Sequence, residues 1–512
     1  LAGFFPTQSL RSVEARSASL HSAPRLRRRH RTLRADVCRV LVASFVSSPS
    51  TLNSARGLSQ ARCHRGWYDR SAMGDLLGED FSLVQIDKLY RCMDKLLGHK
   101  EDLFFFLRQR WVDMFDAGFD VLLYDLTSTY FVCEPPEIGK RKFGYSRDKR
   151  SDCVQVVIAL IVTPDGFPIA YEVMAGNTSD KTTLSGFLRK IETQYGKANR
   201  TWVMDRGIPT EETLAEMKNS TPPVSYLVGT PRGRLSALEE GFLDQPWEQA
   251  RESVEVKLLR QEGELYVLAR SKGRVEKERA MRRRRMKKLW RRLHELQTQE
   301  LTRDALLLKL GAAKKEAGNF YRLVEVSLPK KEEPVTSATF TFSLRKDKFR
   351  ETIRREGHYL LRSNLCSEKP ATLWQQYIRL TEIEQAFRNL KDDLSLRPIF
   401  HQLETRIEAH IFIAFMAYCL QVTLKHRLRS LAPGLSPREV LDKFAGIQMV
   451  DVHLPTTDSR LLVLSRYTQP EKDHLILLAR LNLDLPAQPT PKILVAQPPN
   501  QETMTPVCSA DL

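Results

Sequence analysis

Residues 120–129 read DVLLYDLTST, an apolar run that closes on the carboxylate of Asp125 and is followed by three hydroxyl side chains. The run is rich in strand-forming residues, so it predicts a buried strand that ends at Asp125. A second short strand, predicted over Thr201–Asp205, also ends on an aspartate. Carboxylates that close buried strands lie at the rim of a sheet, where functional sites are commonly built. An aspartate close to a glycine, as in Asp205-Arg206-Gly207, is also ordinary turn chemistry.

The pattern around these aspartates alternates strands and helices. A Pro-Asp-Gly turn signal at Thr163–Gly166 separates two further strands. The predicted order is βββαβαβ, which resembles a ribonuclease H-like domain with carboxylates at its strand ends. The elements, in addition to the two above, are strands Cys153–Val162, Ile169–Met174 and Val224–Val228, and helices Asp180–Tyr195 and Thr210–Asn219.

Helices are predicted on both sides of this core. Apolar residues recur every three or four positions over Phe81–Leu97, and a second helix is expected over Lys100–Phe115. A long helix is predicted to begin near Trp374 and to run through Leu390. Ile411–Leu420 is the longest apolar run and predicts a buried helix rather than a bilayer span, which needs about 18 residues. The Pro-rich tail from about Leu485 has little to bury and is expected to be loose.

An insertion is predicted over Gly229–Lys348, with four strand candidates and one basic helix, about Val275–Glu300. That helix has an apolar stripe at helical spacing and a run of Arg and Lys. The charge run is consistent with a solvated face, and equally with a face that contacts phosphates. The four strand candidates are Val254–Leu259, Leu265–Ala269, Tyr321–Val326 and Thr339–Leu344.

The composition is that of a globular protein, with 42% hydrophobic and 28% charged residues. The eight cysteines have neither the spacing of a disulfide framework nor that of a zinc site, which indicates a reducing, intracellular setting. The net charge of +18 favours a polyanionic partner. Residues 1–70 hold 13 Arg, no Lys and three acids, so they account for +10 of that charge.

The segment before Met73, the first methionine, is predicted to be disordered. Our favoured interpretation is translated upstream sequence ahead of a start near Met73. Its Arg- and Ser-rich, acid-poor composition also resembles an organelle transit peptide. A basic DNA-binding arm is the third interpretation.

Glu384 is a third acidic candidate. It lies on the predicted helix near Trp374, beside the apolar residues Ile383 and Phe387. A carboxylate on or beside a core-facing stripe is costly unless it is paired or binds a metal. A salt bridge to Arg388, four residues on, is the structural alternative.

Five segments in order along the chain resemble the successive motifs of DDE transposases encoded by bacterial insertion sequences. The resemblance is to the group with a β-rich insertion between its second Asp and its Glu, and it spans roughly residues 75–429. The segments are YDLTST (124–129), GYSRDKR (144–150), GNTSDK (176–181), VMDRG (203–207) and IEQAFRNLK (383–391) with Tyr377 before it.

The resemblance implies an α/β fold: a ribonuclease H-like catalytic core interrupted by a β-rich insertion, with helical N- and C-terminal parts. It implies that Asp125, Asp205 and Glu384 bind two Mg²⁺ ions, for which Mn²⁺ substitutes. Carboxylate oxygens are the ligands that such hard cations prefer. By resemblance, water attack frees a 3′-OH at the element's end, and that 3′-OH then attacks target DNA.

The resemblance also assigns DNA contacts. Tyr377 and Lys391 stand where the family has them, about two helical turns from Glu384, and are expected to contact phosphates. Leu380 occupies the position of the family's Arg, so that contact falls to Arg379 or Arg388. Thr127, on the same side of its strand as Asp125, is expected to orient that carboxylate or a phosphate.

The expected partners are double-stranded DNA, as element ends and target, and a second copy of the chain in the DNA complex, with no membrane. The expected setting is the bacterial cytoplasm, associated with the nucleoid. The predicted divisions are 1–72 (disordered), 73–118 (helical), 119–228 (first part of the core), 229–350 (insertion), 351–430 (second part of the core) and 431–512 (C-terminal region and loose tail).

Two other functions are compatible with the sequence. A DNA-binding protein on the same scaffold that lacks catalysis is disfavoured, because all three carboxylates are present. A nuclease that cleaves without joining is disfavoured by the large insertion and its basic helix.

Overall fold

The structure is a computed structural model. It describes residues 86–196, 199–231, 234–331, 333–394, 396–458, 460–485 and 487–495. The disorder predicted for residues 1–72 lies outside these ranges. The described chain forms two compact units: unit 1 holds residues 86–118, 126–178 and 384–495, and unit 2 holds residues 119–125 and 179–383.

Unit 1 combines two N-terminal helices, a strand hairpin and a helical C-terminal part. Its helices are α1 (Ile86–Leu97), α2 (Lys100–Phe115), α10 (Leu380–Arg388, entering from unit 2), α11 (Glu404–Leu431), α12 (Pro437–Phe444) and α13 (Lys472–Leu481). Its strands are the second half of β1 (Val121–Phe131), β2 (Val154–Val162), β3 (Pro168–Ala175), β12 (Met449–Pro455), β13 (Arg460–Tyr467) and β14 (Lys492–Val495).

Unit 2 begins with the first half of β1. Its helices are α3 (Leu184–Tyr195), α4 (Glu211–Asn219), α5 (Leu235–Leu243), α6 (Lys272–Thr298), α7 (Arg303–Ala317), α8 (Lys346–Arg354) and α9 (Pro370–Ile378). Its strands are β4 (Thr201–Met204), β5 (Ser225–Thr230), β6 (Glu248–Arg251), β7 (Val254–Gln261), β8 (Glu264–Ser271), β9 (Val324–Ser327), β10 (Thr341–Leu344) and β11 (His358–Ser363).

A large sheet organises unit 2. Its strand order is β1-β4-β5-β11-β8-β7-β6, and the first three strands are parallel. The parallel strands are almost fully buried, as continuous apolar runs such as Leu122–Tyr124 require. The chain order from β1 to β5 is βββαβαβ, so the predicted ribonuclease H-like arrangement is confirmed.

In unit 1, strands β2 and β3 form an antiparallel hairpin, with β2 next to β1. Strand β2 is buried along its whole length. In the described part of the chain, one helix, α11, is long and apolar enough to cross a membrane, but 78% of its most apolar stretch is buried within the protein. This burial agrees with the buried helix predicted over Ile411–Leu420.

The insertion contains the basic helix and strands at all four predicted places, but the strand predicted over Tyr321–Val326 begins only at Val324, because Gly318–Leu323 forms a 3-10 helical segment. Several other elements within the insertion were not predicted. Helices α5, α7 and α8 and the short strand β6 belong to this group. Helix α7 packs with α6 around a separate hydrophobic cluster that includes Leu293, Leu306 and Phe340. The insertion is therefore a mixed helical and stranded segment.

Two other predictions were wrong in detail. The long helix expected from Trp374 is two helices, since Arg379 and Glu382 make i→i+3 backbone hydrogen bonds where a helix would continue, and a π-helical turn, Asn389–Asp393, follows. The tail after Leu485 contains strand β14, which pairs with β13. The C-terminal part thus includes a three-stranded sheet, β12-β13-β14, beside its helices.

Candidate active site

The parallel register of β1 and β4 brings Asp125 and Asp205 to one level of the sheet. The paired residues of the two strands end with Tyr124 opposite Met204. Asp125 and Asp205 are the next residues on their strands. Because neighbouring strands lie about 4.8 Å apart, two carboxylates emerge side by side where the pairing stops.

Asp125 does not end its strand, contrary to the sequence prediction. Strand β1 continues to Phe131, because Thr127, Thr129 and Tyr130 are themselves good strand formers. What ends next to Asp125 is the pairing of β1 with β4, whose last paired residues are Tyr124 and Met204. Strand β4 ends at Met204, one residue before the predicted end at Asp205.

The turn after Asp205 requires a glycine at position 207. Gly207 has a φ of +94°, a backbone conformation that side chains disfavour. The chain then enters α4, whose first turn is capped by the Thr210 hydroxyl, which accepts a hydrogen bond from the Thr213 amide at 3.2 Å. Asp205 is exposed and Asp125 is half-buried, so the pair lies at the surface end of the sheet.

Tyr377 bonds to one of these carboxylates. Its phenol donates a hydrogen bond to Oδ1 of Asp205 at 2.9 Å. Burial, together with the nearby Asp205 charge, raises the pKa of Tyr377 well above its ordinary value. Gly229 provides the space for this contact, because a Cβ at that position would lie 2.4 Å from the Tyr377 oxygen. Tyr377 therefore contacts Asp205 directly, whereas the sequence predicted only a contact with a DNA phosphate.

Glu384 lies on α10 in unit 1 and is exposed, between the buried Ile383 and the buried Ala386. It is thus beside the core-facing stripe. Among the residues that the structure describes, Glu384 and Arg388 form no ion pair, so the alternative of a local salt bridge is not realised. Arg379 and Arg388 are both exposed, and Thr127 is buried on β1.

Lys391, predicted to contact DNA, is half-buried in the π-helical turn and paired with a buried acid. Its ammonium donates to Oδ1 of Asp148 at 2.8 Å, and the Arg397 guanidinium donates to the same oxygen. The Asp148 side chain is 5% exposed and that of Lys391 10% exposed. Burial lowers the pKa of Lys391, an effect that the Asp148 carboxylate opposes.

The GYSRDKR segment forms the loop that carries Asp148. Gly144 packs so closely on the backbone that an added Cβ would lie 2.0 Å from the Gly176 carbonyl oxygen. The Gln155 amide donates to the carbonyls of Gly176 and Tyr145, at 2.8 and 3.1 Å. Two of the sequence motifs are therefore interlocked through their glycines. Asp148 stood within the first of them, although nothing in the sequence connected it to Lys391.

All three acidic residues offer carboxylate oxygens, which hard divalent cations prefer as ligands. Two of them, Asp125 and Asp205, are also placed side by side. Asp125 and Asp205 supply carboxylate oxygens at one level, and Asp205 is open to solvent. Within the described ranges, no group of three His, Cys, Asp or Glu side chains lies close enough together to hold a metal ion. The structure thus brings the two aspartates to one level of the sheet.

Comparison with known proteins places the chain in a family. The chain is similar to a solved piggyBac transposase, in a synaptic complex with hairpin DNA, at 10% identity and a TM-score of 0.35, over 79% of this chain and 76% of that one. No curated protein matches the chain. The family described as "Transposase DDE domain" matches residues 120–420, about three fifths of the chain. The chain therefore belongs to the DDE transposase family.

Proposed function

We propose that this protein is the transposase of a bacterial insertion sequence, which cleaves double-stranded DNA and joins the freed end to a target. The observation that carries the proposal is the matched placement of Asp125 and Asp205 at the end of the β1–β4 ladder. Family membership supports it independently, since the matched region contains both aspartates and Glu384.

In this proposal Asp125, Asp205 and Glu384 hold two Mg²⁺ ions, with Mn²⁺ as a substitute. Bound there, two such ions would supply activation of an oxygen nucleophile and stabilisation of the leaving oxygen of a phosphodiester. The protein's own contribution is to fix the carboxylates. The parallel ladder fixes the backbone of Asp125 and Asp205, and the Tyr377 phenol fixes one oxygen of Asp205.

Cleavage frees a 3′-OH at the element's end, and that hydroxyl attacks target DNA in the same site. Arg379 and Arg388, which are exposed, remain proposed DNA contacts, and Thr127 remains proposed to orient Asp125 or a phosphate. For Tyr377 and Lys391, which bond to Asp205 and Asp148, we propose positioning and structural roles in place of the phosphate contacts. The proposed assembly is a homodimer on DNA, in the bacterial cytoplasm and associated with the nucleoid.

Plasmid nicking tests the catalytic residues. The full chain is expected to nick supercoiled DNA only with Mg²⁺ or Mn²⁺, and D125A, D205A and E384A are each expected to abolish nicking. D120A is the matched control, because Asp120 is exposed and directly precedes β1. Nicking that survives all three substitutions, or that needs no metal, would contradict the proposal.

Strand transfer separates a transposase from a nuclease. A DNA end that already carries a free 3′-OH is supplied together with a target plasmid and Mg²⁺. Joined products are expected with the wild-type chain and not with D205A. Efficient nicking without any joining would instead identify the protein as a nuclease.

A further inference from the structure

Helix α6 carries a row of four exposed cations, which we name the basic stripe: Arg283, Arg284, Lys287 and Arg291. At 100° per residue these four side chains fall within about 100° of the helix circumference. They lie within nine consecutive residues, whose eight intervals of about 1.5 Å give roughly 12 Å along the axis. The stripe is thus a continuous surface feature on one side of the helix.

The opposite side of α6 is fixed in the protein. Leu289, Leu293 and Leu296 are buried in the cluster shared with α7, about 170° around the helix from the middle of the stripe. Arg282, also buried, donates to Glu356 at 2.6 Å. These contacts fix the rotation of α6, so the basic stripe faces away from the core of unit 2.

No described carboxylate pairs with any residue of the stripe. The ion pairs of neighbouring α6 cations involve other residues, such as Lys288 with Glu316 at 3.0 Å and Arg292 with Glu295 at 3.1 Å. From Arg279 to His294, both included, the helix contains nine Arg or Lys and no acid.

This charge pattern differs from that of an ordinary solvated helix face. Such faces usually mix both signs at i,i+4 spacing, which stabilises the helix. Here Arg283 and Lys287, and Lys287 and Arg291, are like charges at that spacing and destabilise it. A polyanion laid along the stripe would remove that repulsion.

We infer that the basic stripe binds the phosphate backbone of double-stranded DNA, independently of sequence and away from the carboxylates that perform the chemistry. The inference rests on the proposed function, which makes duplex DNA the substrate. Duplex DNA carries one charge per about 1.7 Å of axis, so 12 Å of it presents roughly seven phosphates to four cations. The insertion thus adds a DNA-holding surface to the transposase.

The test is the salt dependence of DNA binding by the full chain, measured by fluorescence anisotropy with a labelled duplex of random sequence. The stripe variant removes four charges through R283Q, R284Q, K287Q and R291Q. A matched control removes four exposed charges elsewhere in unit 2, through R251Q, R260Q, K346Q and R350Q. A milder variant, R284Q with R291Q, guards against misfolding of the fourfold change, and thermal unfolding checks all three.

The stripe variant is expected to bind more than about tenfold more weakly near 0.1 M salt, and its plot of log Kd against log salt is expected to be shallower by roughly 3 to 4. The milder variant is expected to show about half of that change in slope, and the control none. Equal affinity and slope for the stripe variant and the control would overturn the inference. So would loss of binding to anionic lipid vesicles without loss of DNA binding.

Failure of the proposed function would look different. In that case the wild-type chain itself would not bind duplex DNA. If the wild-type chain binds and nicks DNA and the stripe variant does both equally well, the proposed function stands. Only the inference that the basic stripe binds DNA is then rejected.

Discussion

The hydrogen bond between Tyr377 and Asp205 depends on the small size of Gly229. The phenol reaches Asp205 at 2.9 Å, and it does so across a position where any side chain would collide with it. An oriented carboxylate loses less freedom when it binds a cation, and groups that orient metal ligands commonly affect affinity or activity. Tyr377 is therefore a positioning residue in the proposed site.

Removing the Tyr377 hydroxyl is expected to weaken catalysis without weakening DNA binding. For Y377F we predict about a 10- to 100-fold loss of nicking rate and a higher Mn²⁺ requirement, with an unchanged Kd for duplex DNA. G229A is expected to act similarly, since its Cβ displaces the phenol. G186A is the control, because a Cβ at Gly186 meets open space.

A different result would favour the phosphate contact predicted from sequence. If Y377F weakened DNA binding while its Mn²⁺ requirement stayed that of the wild type, the hydroxyl would act on DNA and not on Asp205.

Lys391 is expected to contribute to stability through its buried pair with Asp148. K391M leaves Asp148 with Arg397 as its remaining cationic partner, so we predict a loss of about 3 kcal/mol in the free energy of unfolding. Chemical denaturation measures this, with K472M as the control, since Lys472 is exposed. A K391M protein as stable as K472M, but weaker in DNA binding, would contradict the structural role.

At the scale of elements, helix α11 carries a histidine that resists protonation. Burial lowers the pKa of His410 to about 4, and the charge of nearby His401 acts in the same direction. The two rings lie 5.4 Å apart between centroids. Close to them, Arg406 pairs with Asp94 at 2.9 Å and stacks over Tyr90.

The stability of the fold should therefore decline as the pH falls from about 6.5 to 4. Unfolded His410 takes up a proton near pH 6.5, whereas folded His410 stays neutral until about pH 4. The contribution of neutral His410 to the free energy of unfolding is fully present above pH 6.5. About 2 kcal/mol of it is lost between pH 7 and pH 5. H410Q should lack this part of the decline, and H453Q, at an exposed site, should retain it. Identical pH profiles for H410Q and wild type would refute the assignment.

Elements whose signal is local were predictable from the sequence. Helix α2 has the predicted bounds, and β1 to β5 follow in the predicted order, because periodicity and propensity are written in neighbouring residues. Strand β12 was missed although Val450, Val452 and Leu454 alternate with Asp451 and His453, and six of its seven residues are exposed, so burial does not mark it. Helix α7 was missed because its apolar residues find their partners on α6, in the hydrophobic cluster of the insertion.

The candidate site was predictable in its residue types but not in its contacts. Asp125 and Asp205 could be chosen as rim carboxylates, whereas their common level depends on the parallel pairing of β1 with β4. The Tyr377–Asp205 bond joins residues 172 positions apart, and the Lys391–Asp148 bond joins residues 243 apart. No local pattern encodes pairings at such separations.

At the scale of the whole molecule, the proposed division of the chain gives chemistry and DNA holding to different segments. The two core segments, 119–228 and 351–430, contain the three acids. The insertion, 229–350, contains the basic stripe and a hydrophobic cluster of its own. More than half of the net charge of +18 belongs to residues 1–70, so the stripe, and not the net charge, is the more specific indication of a DNA partner.

The central claim is that Asp125 and Asp205 serve one metal site, and Mn²⁺ binding to the full chain in the presence of duplex DNA tests it without relying on activity. Titration calorimetry is expected to show two Mn²⁺ per chain for the wild type and for D120N, the matched change at the start of β1. D125N and D205N are each expected to weaken the same binding step by at least about tenfold. Wild-type Mn²⁺ binding by both D125N and D205N would contradict the account.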